Sequence, residues 1–387
     1  MTTRGRPVHT SANSRLTVVV AGMIAGVPGQ GGAAWAILQY VLGLLRLGHD
    51  AYLVEPVDDL DPTRTSYFGA VLRAFGLGGR AALVDERNRR CAGMSYEEVA
   101  AILRGADLLL NVAGMLRSEE LVACADCRVY LDLDPAFTQL WYQQGVDVGL
   151  EGHDQFVTVG HGLGSRACQV PTCGRTWLAT VPPVVLDRWL PVDETTGAAW
   201  TTVANWRSYG SIVADGVHYG QKAHSFRDLM PLARCMGDPP VVALAIDPTE
   251  RRDLTAFRRH GWTLVEPSRV ACTPQRYRDF IRTSRGELCV AKSGYVVSRS
   301  GWFSDRSTCY LAAGRPVVAQ NTGFSDYLPV GEGLLAFDDV DGACGAIAEV
   351  ESAYDRHCAA ARALAGDLFD SDRVLTDLLD HLAAGRG

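Results

Sequence analysis

Short apolar runs recur along the chain, each followed by a longer stretch of mixed polarity. LTVVVA (16–21) is almost continuously apolar, as a strand buried on both faces of a parallel sheet must be. The Gly-rich loop GMIAGVPGQGG (22–32) follows, then an apolar helix over about 33–47 closed by Gly48, then the strand AYLVEP (51–56). This β–loop–α–β order opens a doubly wound sheet. Further strands are expected at AALV, LLLNVA, RVYLDLD and QFVTVG, with helices between most of them. One α/β domain therefore spans 1–190, with 1–14 as a polar, flexible tail.

TWLATVPPVVLDRWLPVDETTGAAW (176–200) carries three prolines and no long period, so it reads as an interdomain crossing. A second α/β series covers 191–365. Its strands are expected at TTVANW, VVALAI, TLVEP, ELCVAK, PVVAQ and GLLAF. Its helices are expected near 221–235, 249–260, 274–284, 304–313 and 340–365. The segment 366–387 is expected to be a C-terminal helix packing back on the first domain.

Composition narrows the function. Of 387 residues, 47 % are hydrophobic and 21 % charged, so both halves can build a core. The net charge of -7 argues against a nucleic-acid binder, which needs a concentrated basic surface. The longest apolar run, 33–45, is too short to span a membrane. The first fifteen residues lack the apolar segment of a signal peptide, so a cytoplasmic protein is expected. The eleven cysteines are then expected to be reduced and mostly buried. Cys124, Cys127, Cys168 and Cys173 could be read as a zinc site, but their spacing is poor and no metal is expected. Among 37 basic residues only Lys222 and Lys292 are lysines, which suggests a need for a compact ammonium at those places.

Two segments carry a family resemblance. VPGQGGAAWAILQYVLGLLRLGHDAYLVEP (27–56) joins a proline, a Gly-Gly pair, an apolar helix and Gly-His-Asp ahead of the second strand. AAGRPVVAQNTGFSDYLPVGEGLLAF (312–337) joins Gly-x-Pro-Val-Val, a polar turn and a Gly-Leu-Leu strand. In this order, one in each half, they resemble the large retaining family of GT-B glycosyltransferases. The resemblance implies two Rossmann-like domains facing across a cleft, an N-terminal acceptor domain and a C-terminal donor domain. It implies transfer of a sugar from a nucleotide sugar to a hydroxyl acceptor. The donor is a co-substrate, and neither metal nor cofactor is required. That family carries two glutamates eight positions apart, where this chain has Gly301 and Cys309. SGWFS (300–304) is similar in part to a turn of plant-type inverting enzymes, so the stereochemical outcome stays open.

A donor diphosphate calls for helix N-termini, close backbone approach and cations. Ser300, Gly301, Ser304, Asp305, Arg306 and Ser307 cluster where a helix starts, although Ser304 or Asp305 could simply cap it. Gly31 and Gly32 would let the first loop approach the phosphate. The resemblance assigns Arg207 and Lys222 to a diphosphate clamp. In QNTGFSD, Asn321, Thr322, Gly323 and Phe324 are candidates for the transferred sugar, or form a plain β-turn. From the first half, His161 and Asp134 are the catalytic candidates, and Asp132 and Gln139 the acceptor-binding ones. Asp134 could instead cap the following helix.

A rival pattern is Gly29-x-Gly31-x-x-Ala34 with Glu55 downstream, which fits a dinucleotide fingerprint. Its first glycine stands too far from the strand for that fingerprint, which lowers the NAD reading. The expected partners are a nucleotide sugar and a small-molecule acceptor such as a natural product, with a homodimer left open. A nucleotide-sugar epimerase and a silent binding protein of the same fold are the alternatives.

Overall fold

The structure is a computed structural model that describes residues 15–192 and 198–385. The expected tail at 1–14 lies outside the described residues. The first half is an eight-stranded sheet. Its strands are β1 (Thr17–Ala21), β2 (Asp50–Val57), β3 (Ala81–Asp85), β4 (Arg90–Gly93), β5 (Leu108–Val112), β6 (Arg128–Asp132), β7 (Gln155–Thr158) and β8 (Trp177–Ala179). They lie in the order 4-3-2-1-5-6-7-8, and only β4 is antiparallel to its neighbour.

The second half holds β9 (Trp200–Asn205), a hairpin of β10 (Ile212–Ala214) and β11 (Val217–Tyr219), then β12 (Val241–Ala245), β13 (Thr263–Val265), β14 (Gly286–Cys289), β15 (Val317–Gln320) and β16 (Leu334–Phe337). Its six-stranded sheet runs 13-12-9-14-15-16, all parallel. Strands β1, β3 and β5 are buried along almost their whole length, which is why they read as predominantly apolar runs. In each sheet the strand order reverses once, between β1 and β5 and between β9 and β14. Ligands of open α/β sheets bind at the carboxyl ends of the strands at such reversals.

The two halves share one core. The Trp35 ring lies 4.9 Å from Trp189, and Trp189 lies 6.4 Å from Tyr277 of the second half. Trp35 Nε1 donates to the Pro274 carbonyl at 2.8 Å. The last helix, Ser371–Ala384, lies along the helix Gly31–Arg46, where Gly43 leaves room for Ser371 and Leu375. Its approach is fixed by Val184 N–H to Phe369 O at 2.7 Å and Ser371 N–H to Val184 O at 2.9 Å.

Several local features depart from expectation. The Pro-rich crossing contributes the edge strand β8. The helix expected over 340–365 breaks at Ala353 (φ -145, ψ 45) into Val340–Ser352 and Tyr354–Leu364. A short helix, Ser293–Ser298, follows β14. The β10–β11 hairpin turns at Asp215-Gly216, both with positive φ (49 and 76), as an Asp-Gly hairpin turn requires. Cys235 and Cys344 form a disulfide 109 residues apart, which corrects the expectation of thiols throughout. Among the described residues no His, Cys, Asp and Glu group is placed to hold a metal, and no helix is long and apolar enough to cross a membrane.

Candidate functional site

Both strand-order reversals open onto one cleft of about 400 Å³ between the halves. The first half walls it with Gly29, Gln30, Gly32, Ala33, Ala113, Leu133 and Asp134. The second half adds the end of β9, Ser208, Lys222, Lys292, Tyr295, Trp302 and the helix start at Ser304, Asp305 and Arg306. The chain's two lysines therefore face the same cavity.

The Gly-rich loop is shaped by Glu55. This fully buried carboxylate accepts the Ala25 N–H at 2.9 Å and the Gly26 N–H at 2.5 Å. It is occupied by its own loop, which removes the ribose partner of the dinucleotide fingerprint. Gly31 does not line the cleft: its N–H donates to Ala271 O at 2.8 Å, and a Cβ there would stand 2.3 Å from the Thr273 carbonyl oxygen. It is glycine because the halves touch there. Gly32 lines the cleft, and a Cβ on it would meet the Tyr277 ring at 2.8 Å.

Lys222 opens the helix Lys222–Leu229, where a cation opposes the helix dipole. It is 8 % exposed, and its Nζ donates to Val290 O at 2.6 Å. Burial, reinforced by the nearby Arg306 charge, pulls its ammonium down to about 7. A buried cation at a dipole's wrong end is a local conflict of the kind functional sites carry. Arg306 binds Glu287, which is fully buried on β14, at 2.5 Å. It also donates to Val203 O at 2.9 Å and meets Cys289 Sγ at 3.3 Å. Its guanidinium is thus fixed in the cleft wall. Ser304 caps the helix Asp305–Ala312 by accepting the Arg306 N–H at 3.2 Å. Burial raises the Asp305 carboxyl, which favours its neutral form next to an anion.

Asp134 is the hub of the first-half wall. Its carboxylate accepts from Lys292 Nζ at 3.1 Å and from the hydroxyls of Tyr209 and Tyr295. The Lys292 ammonium lies 4.1 Å from the Tyr209 ring centroid and 5.1 Å from that of Phe137. Burial lowers the Lys292 pKa, and Asp134 opposes that shift. Asp134 is held in turn by its own turn. Its N–H donates to Asp132 Oδ1 at 2.9 Å, and Ala136 two residues on sits at φ 82, ψ -54, a costly conformation for a non-glycine.

The other sequence candidates fall elsewhere. Asp132 and Gln139 are fully buried. Asp132 accepts from Thr138 and Gln139 at 2.8 Å and from Thr158 at 2.9 Å, so it supports Asp134 and has no oxygen left for an acceptor. This corrects their assignment to acceptor binding. His161 lies in a separate cavity with Leu178, Thr180 and the C-terminal helix, and burial lowers its pKa. Its loop braces the second half, with Gly162 N–H to Ser300 O at 2.8 Å. Gly301 (φ 71) packs on that loop, and Ser300 and Ser307 are fully buried away from the cleft. Arg207 is drawn to Glu250 at 2.6 Å on the surface. In the second turn, Asn321 Oδ1 accepts the Gly323 N–H at 2.9 Å, Thr322 bonds Trp302 O at 2.5 Å, and Phe324 is core against Phe303. That turn closes on itself and does not line the cleft. Lys292, Tyr209, Tyr295 and Glu287 are the site residues that sequence reasoning left unplaced. The scarcity of lysine was the available signal for Lys292.

Solved structures with this arrangement settle the architecture. An alpha-glucosyltransferase in complex with UDP-glucose and DNA containing an abasic site superposes with a TM-score of 0.63 at 12 % identity, over 94 % of this chain and 99 % of that one. The fold is GT-B. Anabaena HepE in complex with UDP and glucose gives 0.57 at 10 % identity, over 95 % of this chain and 100 % of that one. Sucrose-phosphate synthase from Thermosynechococcus elongatus gives 0.54 at 12 % identity, over 95 % and 100 %. No protein-family model matches the sequence, and no curated protein matches it. The GT-B cleft between the two sheets is the one that holds Lys222, Lys292, Arg306 and Asp134.

Proposed function

We propose that this chain is a glycosyltransferase that moves a sugar from a nucleotide sugar to a hydroxyl of a small-molecule acceptor. The observation that carries the reading is the convergence of both lysines, Arg306 and a helix N-terminus on one GT-B cleft. Lys222 and the helix start at Ser304 hold the diphosphate, and Arg306 adds its fixed charge behind them. The chain's own cations supply the counter-charge, with no resident cofactor. Asp134, on the opposite wall, receives the proton of the acceptor hydroxyl. The acceptor oxygen bonds to the sugar's anomeric carbon, the bond from that carbon to the diphosphate breaks, and the nucleoside diphosphate leaves. The structures of HepE and the alpha-glucosyltransferase, both solved with uridine nucleotides, support a uridine donor as the first to try.

A thermal-shift panel of UDP, GDP, dTDP and NAD tests the reading. A ligand at a hundredfold excess over its Kd adds about 2.7 kcal/mol to the folded state. One nucleoside diphosphate is expected to raise Tm while NAD does not. No response to any nucleoside diphosphate overturns the proposal.

A further inference from the structure

Lys292 and Asp134 come from opposite halves of the molecule, at the ends of β14 and β6. We infer that Lys292 couples the donor to the acceptor: its ammonium holds Asp134 as described, and transfers to the diphosphate when a nucleotide sugar binds. Asp134 then has hydrogen-bonding capacity for the acceptor hydroxyl. The inference rests on the glycosyltransferase reading and gives a task to a residue that reading leaves idle.

The chemistry of Asp134 requires such a step. Asp134 accepts from one ammonium and two phenols. Lys292 Nζ bonds both carboxylate oxygens, so an acceptor hydroxyl finds a free lone pair there only when a donor leaves, and the ammonium is the donor that a diphosphate attracts. The partners also differ in freedom to move. Asp134 is tied down through Asp132 and the Ala136 turn. Tyr295 is stacked on Trp302 at 4.3 Å, and Tyr209 is wedged against Trp141 at 4.6 Å and Phe137 at 5.1 Å. Lys292 is the flexible partner: a four-carbon stem on a fixed backbone position just ahead of the helix Ser293–Ser298. It lines the same cavity as Lys222 and Arg306. Its ammonium also donates to the Tyr209 hydroxyl, and the rings of Phe137, Tyr209 and Tyr295 surround the cation; a diphosphate there presents more negative charge than one carboxylate.

Because the chain has only these two lysines, amine labelling reads each one separately. Wild-type protein is reductively methylated with and without saturating UDP, GDP or dTDP, and peptide mass spectrometry gives the rate at Lys222 and at Lys292. The nucleotide that binds is expected to slow both. In Asp134→Asn, that nucleotide is expected to bind about tenfold tighter, the equivalent of ~1 pKa unit of interaction, because Lys292 no longer has to leave a carboxylate. In Lys292→Met it is expected to bind at least about tenfold weaker. A residue that only supported the fold would not make removal of Asp134 strengthen binding. Protection of Lys222 with an unchanged rate at Lys292, or weaker binding in Asp134→Asn, overturns the coupling and leaves the glycosyltransferase reading standing. No effect of any nucleotide on either lysine removes both.

Discussion

On the proposed reading, Lys222 makes nucleotide binding depend on protons. Burial, with the Arg306 charge nearby, holds its pKa at about 7. A diphosphate within reach of Nζ favours the ammonium, so the bound complex carries a proton that the free protein mostly lacks above neutrality. At pH 8 a group with a pKa of about 7 is roughly one-tenth protonated, so binding draws about 0.9 proton per chain. Between pH 8 and pH 9 the affinity is expected to fall about tenfold, the slope of one linked proton. The terminal phosphate of UDP, with its second pKa near ~6, is fully ionised at both values and adds no slope of its own. Titration calorimetry at pH 8 in two buffers of different ionisation enthalpy counts the protons directly. Uptake near zero in the wild type would refute the reasoning. So would undiminished uptake in Lys222→Met, because the proton would then belong to another group.

The same lysine weakens the fold that holds it. Its folded pKa lies below the unfolded value of 10.5, so the unfolded chain binds more protons between about 7 and 10.5, and stability rises with pH across that window. Lys222→Met is expected to remove that slope and to raise stability at pH 7 by about 1–3 kcal/mol, and a lower Tm at pH 7 would contradict this. Glu287→Gln leaves Arg306 in the cleft wall without its carboxylate. It is expected to cost ~3–5 kcal/mol in urea unfolding, and a loss below about 1 kcal/mol would show that the pair carries little. Gly31→Ala puts a Cβ against the Thr273 backbone. It is expected to weaken nucleotide binding about tenfold with the circular dichroism unchanged, and an unaltered Kd would show that contact between the halves is not needed for binding.

The doubly wound halves were legible because strands buried on both faces are predominantly apolar, as β1, β5 and β15 are. Ser304 and Asp134 were legible because turn and cap chemistry is local. The rest of the site was not, because its members meet only in three dimensions. Asp134 stands 75 residues from Tyr209, 158 from Lys292 and 161 from Tyr295. Asp132 and Gln139 read as ligand-binding residues because a buried polar scaffold uses the same residue types as the group it supports. The turn at 321–324 misled for a related reason: Asn321 bonds its own backbone, and that local chemistry resembles a sugar-binding loop. The hairpin at Asp215-Gly216 carries its signal locally, an Asp-Gly pair between two short strands. The Cys235–Cys344 pairing left no mark in local spacing.

The central claim is sugar transfer from a nucleotide donor, and release of nucleoside diphosphate tests it most directly. Wild-type protein, Lys222→Met and Asp134→Asn are incubated with UDP-, GDP- and dTDP-sugars, with water as the acceptor of last resort, and free nucleoside diphosphate is quantified over time. The account predicts release from one donor class by the wild type, loss of that release in Lys222→Met through weakened binding, and slowed turnover in Asp134→Asn although that variant binds the donor more tightly. Release that is unchanged in both variants, or absent from every donor that binds, would contradict it.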